Sequence, residues 1–467
     1  MRPSREDIVI TGLSCRFADS PDPASFWRNL LQRRRLFTPL PPTDTVNCPN
    51  LFDRPYPSVC AQLNELFSCN AADQYFKREI TAGENPALYF MLQLVMDALR
   101  DSGCSINSLP TDRISLRMGY APPFNTAAVN WLQHAFVLDQ TIDILQKFFP
   151  NAHADQVASI RTQLSASLPK PDVYAFMSSF GSSVATWSAH LLGFAGPATT
   201  IECGALSAHQ SFQQAIDDLL MRRSDIAVTG ALQPPLMRPF LQGLAGPITF
   251  SRGKTLMPFS RESDGTLPGE GGAVFILKRL KDAERDNDRI YAIIKSPELV
   301  AASLDHHRTV PLAPERLLRV ITRSLQRAQL SPEALTYIEA HGVGIPQIDQ
   351  VELNTWLETL GDRKANQALI GIGAVKGNIG HTLMAAGAAS LLKATLAVYH
   401  RILPPNVEIE KPYPRLSSAK SPLYLLDEAR PWLRGGRDKL RRAAVPTVDF
   451  TGSCGMTILE EYTGGNS

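Results

Sequence analysis

The sequence predicts an α/β protein built from two pseudo-symmetric halves, and three observations carry that prediction. Short apolar strands alternate with amphipathic helices, the alternation starts afresh near Tyr291, and 467 residues with 44% hydrophobic content suffice for a large core. Alternating units of this kind imply parallel-type sheets covered by helices, with functional sites at the carboxyl ends of strands.

Residues 8–13 (IVITGL) read as a buried strand, and the DPASFWRNLLQ segment after it opens on an Asp cap with helical apolar spacing. Residues 86–101 predict a helix opened by Pro86 and closed by Gly103. A strand ends near Gly119. Two helical segments, 136–149 and 154–168, then read as a hairpin packed on the surface or at a subunit interface, with no visible chemistry. A helix at 209–223, a strand at 225–230 and a strand at 271–280 complete the first half. The second half runs strand (291–296), helix (315–328), strand (335–342), helix (351–360), strand (369–375) and helix (384–400). The expected units are 1–288 and 289–467, alike in order but without a residue-level repeat.

Composition excludes several classes. A formal net charge of +2 names neither nucleic acid nor membrane as a partner. The seven cysteines, at 15, 48, 60, 69, 104, 203 and 454, are scattered and form no CxxC pair, so reduced thiols are expected. The first apolar stretch is too short for a signal-peptide core and no run of 18 apolar residues follows, which predicts a cytoplasmic protein. The adjacent pair His306 and His307 lacks helical ligand spacing, and no metal site is expected. There is no GxSxG elbow, and RGKT at 252–255 lacks the earlier glycine of a phosphate loop, Ile248 standing there instead.

Three segments at strand ends carry the chemistry: IEAHG (338–342), AVKGNIGH (374–381) and GPATTIECGALSAHQ (196–210). Two histidines and a lysine on different strands of one half are placed to converge on a substrate carbonyl. With EDIVITGLSCRF near the start, SDGTLPGEGGAVFILKRLKDA at 263–283, IEAHGVGIPQIDQVE, VKGNIGH followed by AAG, and RILPPN at 401–406, the chain resembles the β-ketoacyl synthases of polyketide and fatty-acid assembly nearly end to end. The resemblance implies a thiolase-like, layered αβαβα architecture and a substrate carried on the phosphopantetheine arm of an acyl carrier protein, with no tightly bound cofactor.

The family's nucleophile is a cysteine at the start of a helix, in the context GPSxTVDTACSSSL, where the helix dipole favours the thiolate. Reading ungapped from Gly196 places Ala205 on that position and Cys203 two residues before it, about 6.5 Å away if the segment is extended. A methyl group cannot be acylated. By resemblance, His341 and His381 donate hydrogen bonds to the thioester oxygen of a malonyl unit, and Lys376 positions His381 and adds positive charge. Val343 and Ile345 replace two threonines that meet the pantetheine arm, each hydroxyl being worth about 0.5–1.5 kcal/mol. Leu383 stands where the family often has Glu. The loop 448–456 (VDFTGSCGM) departs from FGFGGTNAH, losing its gating phenylalanine and most of its glycines; Val343, Ile345 and Phe450 are the expected substrate-binding residues.

Two functions follow from the resemblance. One is a decarboxylase that converts malonyl carriers to acetyl carriers through His341, Lys376 and His381. The other is a non-catalytic partner, like the chain-length factors that pair with an intact ketosynthase. Condensation through Cys203 is a third possibility. A dimer is expected, a homodimer or a heterodimer with an intact ketosynthase. Arg33, Arg34 and Arg35, with Arg430, Arg434, Arg437, Lys439, Arg441 and Arg442, read either as a carrier-docking surface or as a solvated one.

Overall fold

The computed structural model describes residues 7–40, 56–63, 85–104, 110–121, 125–170, 173–301, 312–363, 368–434 and 439–464. Cys48, Cys69, His306, His307 and Arg437 lie outside them; the five described cysteines are free thiols.

In the first half, β1 (Ile8–Phe17) leads to α1 (Pro23–Leu31), whose Asp22 cap accepts the Ser25 N–H. α2 (Pro86–Asp101) is capped by Asn85 and started by Pro86, and β2 (Ile114–Gly119) follows. α3 (Thr126–Leu132) passes through a wide turn at Gln133–Val137 into α4 (Leu138–Phe148), against which α5 (Ala154–Ser167) folds back as the expected hairpin. Then come α6 (Val173–Ser178), α7 (Gly181–Leu191), β3 (Ala198–Ile201), α8 (Ser207–Leu220), β4 (Ile226–Gln233) and β5 (Gly271–Arg279).

The second half contains β6 (Ala292–Val300), α9 (Pro314–Ala328), β7 (Tyr337–Glu339), α10 (Pro346–Leu360), β8 (Ile370–Gly373), α11 (Ala386–His400), β9 (Leu423–Leu425), β10 (Arg442–Val448) and β11 (Cys454–Glu460). Leu383–His400 is apolar and long enough to cross a membrane, but 89% of it is buried inside the protein, where a short turn at Leu383–Ala385 leads into the core helix α11.

These eleven strands join in one sheet of order β9-β8-β7-β10-β11-β6-β1-β5-β4-β2-β3, apart from two short pairings, Thr38–Pro39 with Val59–Cys60 and Ile402–Leu403 with Arg430–Pro431. Read outward from the centre, the first half runs first, fifth, fourth, second, third strand, and β6-β11-β10-β7-β8 repeats that order with β9 added at the edge. The two first strands, β1 and β6, pair antiparallel with Ile8 opposite Ile294 and Ile10 opposite Ala292, which puts a pseudo-twofold relation at the seam. The expectation of parallel sheets holds only for β3-β2-β4 and β9-β8-β7-β10. The last strand of each half returns antiparallel between the first and fourth, because β4 to β5 and β10 to β11 are reversals without a crossover helix.

α8 and α11 pack on one another and touch strands of both halves, while α2 and α7 cover one outer face and α9 and α10 the other. Five layers result. Phe275 of β5 meets Phe212 of α8 edge to face at 5.0 Å, both fully buried, and ties the central layer to the sheet. Phe275→Ala is expected to cost about 3–5 kcal/mol, read as the shift in a urea unfolding curve.

Candidate active site

The segment 201–207 reverses from strand to helix in a tight elbow. Gly204 adopts φ +54°, a left-handed conformation that a side chain resists, and a Cβ there would lie 3.0 Å from Asp449 Oδ2. Cys203 is therefore not in an extended segment with Ala205, and the separation expected for an extended segment does not apply across the turn. Burial raises the Cys203 pKa, and Asp449 and Glu202 raise it further, so this thiol is poorly disposed to ionise. Ala205 is buried at the elbow, just before α8.

Two segments of the second half close on this elbow. Ser207 Oγ lies 3.8 Å from Met384 Sδ, and a Cβ on Gly387 would meet Ala208 and His209, so the loop before α11 and its first turn cover one side. The β10–β11 turn covers the other through Asp449. The Asp449 Oδ1 accepts from the Thr451 N–H (2.8 Å), the Thr451 hydroxyl (2.6 Å) and the Ser453 N–H (3.1 Å), which fixes that turn.

His341, Lys376 and His381 come together in the fold, all buried. The His341 and His381 rings stand edge to face with centroids 5.6 Å apart. Lys376 Nζ donates to the His341 carbonyl at 2.5 Å and reaches His341 Nδ1 at 3.3 Å, so it positions His341 rather than His381. The Val448 N–H also approaches His341 Nδ1, at 3.4 Å. His381 Nδ1 accepts the Leu383 N–H at 3.0 Å. With Nδ1 an acceptor in both rings, the ring hydrogens sit on Nε2. Burial lowers His341 well below the usual imidazole range, aided by Lys376, and burial with Lys376 pushes His381 down to about 3. Both rings are neutral N–H donors.

The backbone of His381 is pinned from the first half: its N–H donates to the Leu267 carbonyl at 2.7 Å and its carbonyl accepts from the Gly269 N–H at 3.0 Å. The turn before it needs Gly380, at φ +71°, since a Cβ would strike the Pro268 carbonyl at 2.5 Å. The loop after β7 is held by carboxylates that the sequence reading did not single out. Glu352 accepts the His341 and Gly342 N–H groups (2.7 and 2.9 Å), and Asp349 accepts those of Val343, Gly344 and Phe259. Glu339 accepts the Val375 N–H at 2.7 Å and pairs with Lys393 at 2.9 Å, both fully buried. Burial lowers the Lys376 pKa, and Glu352, Glu339 and Asp349 pull it back.

His209, also overlooked, is buried on α8; burial lowers it to about 4 and its ring lies close enough to depress His341. The available signal was its place four residues after Ala205, one helical turn along. Val343 is buried beside the cluster and Ile345 is the half-buried residue preceding α10. Phe450 stands at the turn tip, 42% exposed. Among the described residues, no group of three His, Cys, Asp or Glu is arranged to hold a metal ion.

The described arginines singled out by the sequence are tied into the fold. Arg33 and Arg35 donate to the carbonyls of Asn406 and Glu408, and Arg34 pairs with Asp19. Arg434 and Arg441 share Glu461, Arg442 holds Glu460, and Arg430 meets Asp427.

Comparison with known proteins bears on the family and the fold. The profile of "Beta-ketoacyl synthase, N-terminal domain" matches residues 5–283 and that of "Beta-ketoacyl synthase, C-terminal domain" matches residues 291–410. The chain is 28% identical to a phenolphthiocerol/phthiocerol polyketide synthase of Mycobacterium tuberculosis over 98% of its own length, and spans 23% of that protein. It is 30% identical to the polyketide synthase GfsA of Streptomyces halstedii over 309 residues, covering 64% of this chain and 4% of that one. Among solved structures it superposes on an oxazolomycin ketosynthase domain of Streptomyces albus with TM-score 0.81 at 24% identity, covering 99% of this chain and 76% of that one. It superposes on the ketosynthase from module 6 of the Bacillus subtilis bacillaene synthase with TM-score 0.77 at 22% identity, covering 98% and 72%. The architecture is thus thiolase-like.

The two imidazoles are expected to stay neutral between pH 5 and 8, with hydrogen on Nε2, in long-range nitrogen–proton spectra of the histidine-labelled chain. A His381 signal titrating near 6.5 would contradict this. Because the folded value of about 3 lies below the unfolded 6.5, the unfolded chain takes up the proton first, and the His381 contribution to stability is lost as pH falls from about 6.5 toward 3.

Proposed function

The chain belongs to the β-ketoacyl synthase family, and from that premise we propose that it decarboxylates malonyl thioesters of an acyl carrier protein without condensing them. The observation that carries this reading is the pair of buried histidines, His341 and His381, whose Nδ1 atoms accept backbone N–H groups and so leave both Nε2–H groups as donors, in a chain whose residue 205 carries only a methyl group. Ala205 takes the register of the family's nucleophile, so no acyl enzyme forms there. The raised pKa of Cys203 and its place across the Gly204 turn argue against that thiol as a substitute.

In the proposed reaction the malonyl thioester oxygen lies between the two donors. As the bond to the carboxylate breaks, negative charge gathers on that oxygen, and donors already fixed in a water-poor site stabilise it without reorganising. Lys376 holds the His341 ring and supplies a positive charge nearby. Val343, Ile345 and Phe450 line the approach of the pantetheine arm in this reading, the first two through apolar contact in place of hydroxyls. The molecule works as a dimer with a carrier protein as its partner.

A second reading, a chain-length-factor-like subunit beside an intact ketosynthase, draws on Asp449. This residue stands where the family has a glycine and locks the turn over the elbow.

Intact-mass spectrometry of malonyl-loaded carrier protein incubated with the chain separates the two. The expected result is conversion to acetyl carrier, slowed about 100-fold or more by His381→Ala. An unchanged malonyl carrier favours the partner reading.

A further inference from the structure

This inference rests on the decarboxylase reading and deepens it by naming how the reaction ends. Loss of carbon dioxide leaves an enolate, and with no acyl group at position 205 to attack, its carbon must take a proton. His209 is the group suited to manage that proton. It lies on α8 one turn beyond Ala205, fully buried. Its Nε2–H donates to the Val445 carbonyl at 3.1 Å, which leaves the lone pair on Nδ1, and Nδ1 has no hydrogen-bond partner.

That nitrogen faces the first turn of α11, where a Cβ on Gly387 would lie only 2.8 Å away. Three residues on, and so on the same face of α11, the fully buried Ser390 hydroxyl is also without a partner. An unpaired acceptor and an unpaired hydroxyl on packed helices are costly, and such pairs are the usual partners of internal water. The His209 ring also lies within electrostatic reach of Lys376 and His341. Burial keeps it neutral, so it accepts hydrogen bonds at Nδ1.

We propose that His209 positions the water molecule that protonates the enolate carbon. The carbon–carbon bond of the malonyl unit breaks and its electrons enter the enolate. The carbon then takes a proton from water as an O–H bond breaks, and the hydroxide combines with the departing carbon dioxide. Malonyl thioester anion plus water gives acetyl thioester plus bicarbonate, balanced in atoms and charge. His209 is a positioning residue, acting through the water.

The test follows malonyl carrier to acetyl carrier in an equal mixture of light and heavy water, reading both rate and deuterium fraction in the new methyl group. His209→Leu is expected to slow the reaction at least about tenfold and to change the deuterium fraction. His209→Asn, whose Oδ1 remains an acceptor, is expected to restore both. Wild-type rate and fraction in His209→Leu would overturn the proposal and leave the decarboxylase reading standing. Equal slowing in both variants with an unchanged fraction would assign a packing role only and overturn it too. A wild-type chain that leaves malonyl carrier untouched overturns both. Thermal unfolding is recorded alongside; if the leucine variant does not fold, Gly387→Ala, whose methyl displaces the ring, takes its place with the same expected outcome.

Discussion

A lysine ammonium buried against the carbonyl and ring of a single histidine is the interaction on which this site depends. Lys376 is 1% exposed, and a cation so placed is tolerable only with compensating charge and hydrogen bonds. Glu339, Asp349 and Glu352 supply the charge, and each also accepts backbone N–H groups, so the same three carboxylates shape the chain around it. Their demand for donors turns the 341–344 loop inward, with Gly342 at φ +44° and Gly344 at φ +78°. That loop sets the His341 ring, and Pro346 then starts α10, which carries Asp349 and Glu352 back to the loop. Removing any one member leaves an unpaired charge or orphaned amides in the interior, which is why the cluster behaves as a unit.

Much of the architecture is legible in the sequence because period-2 and period-3.6 patterns are local. The two-half organisation and most elements emerge that way, from β1 through α11. Strand direction is not local: nothing in the apolar run at 271–280 says that β5 returns antiparallel between β1 and β4. The Gly204 turn was hidden for a similar reason, since a short small-residue stretch after a strand reads equally well as more strand.

At the site, His341, Lys376 and His381 stand out because they sit in motifs at strand ends. Asp349, Glu352 and Lys393 do not, because charged residues on a helix ordinarily face solvent, and only tertiary packing shows these three to be interior. His209 hides among the apolar and polar residues of α8 in the same manner. The arginines mislead in the opposite sense. Several partners are not sequence neighbours, as with Arg33 and Asn406 or Arg35 and Glu408, so what reads as a free basic surface is largely cross-linking.

The matching strand order of the halves has a consequence for how such a molecule changes over time. α8 and α11 occupy equivalent places, and the site lies where the segments ahead of them meet. The side-chain network of Lys376, His341, Glu339, Asp349, Glu352 and Lys393 belongs wholly to the second half, and its hydrogen bonds from the first half are backbone ones, from Phe259 and through the His381 backbone. Residue 205 belongs to the other half and carries none of that network. A substitution at the elbow can alter one half's contribution at the cost of a single side chain, while the other half's contribution is inherited intact. Internal symmetry of this kind makes one active site two separately heritable parts.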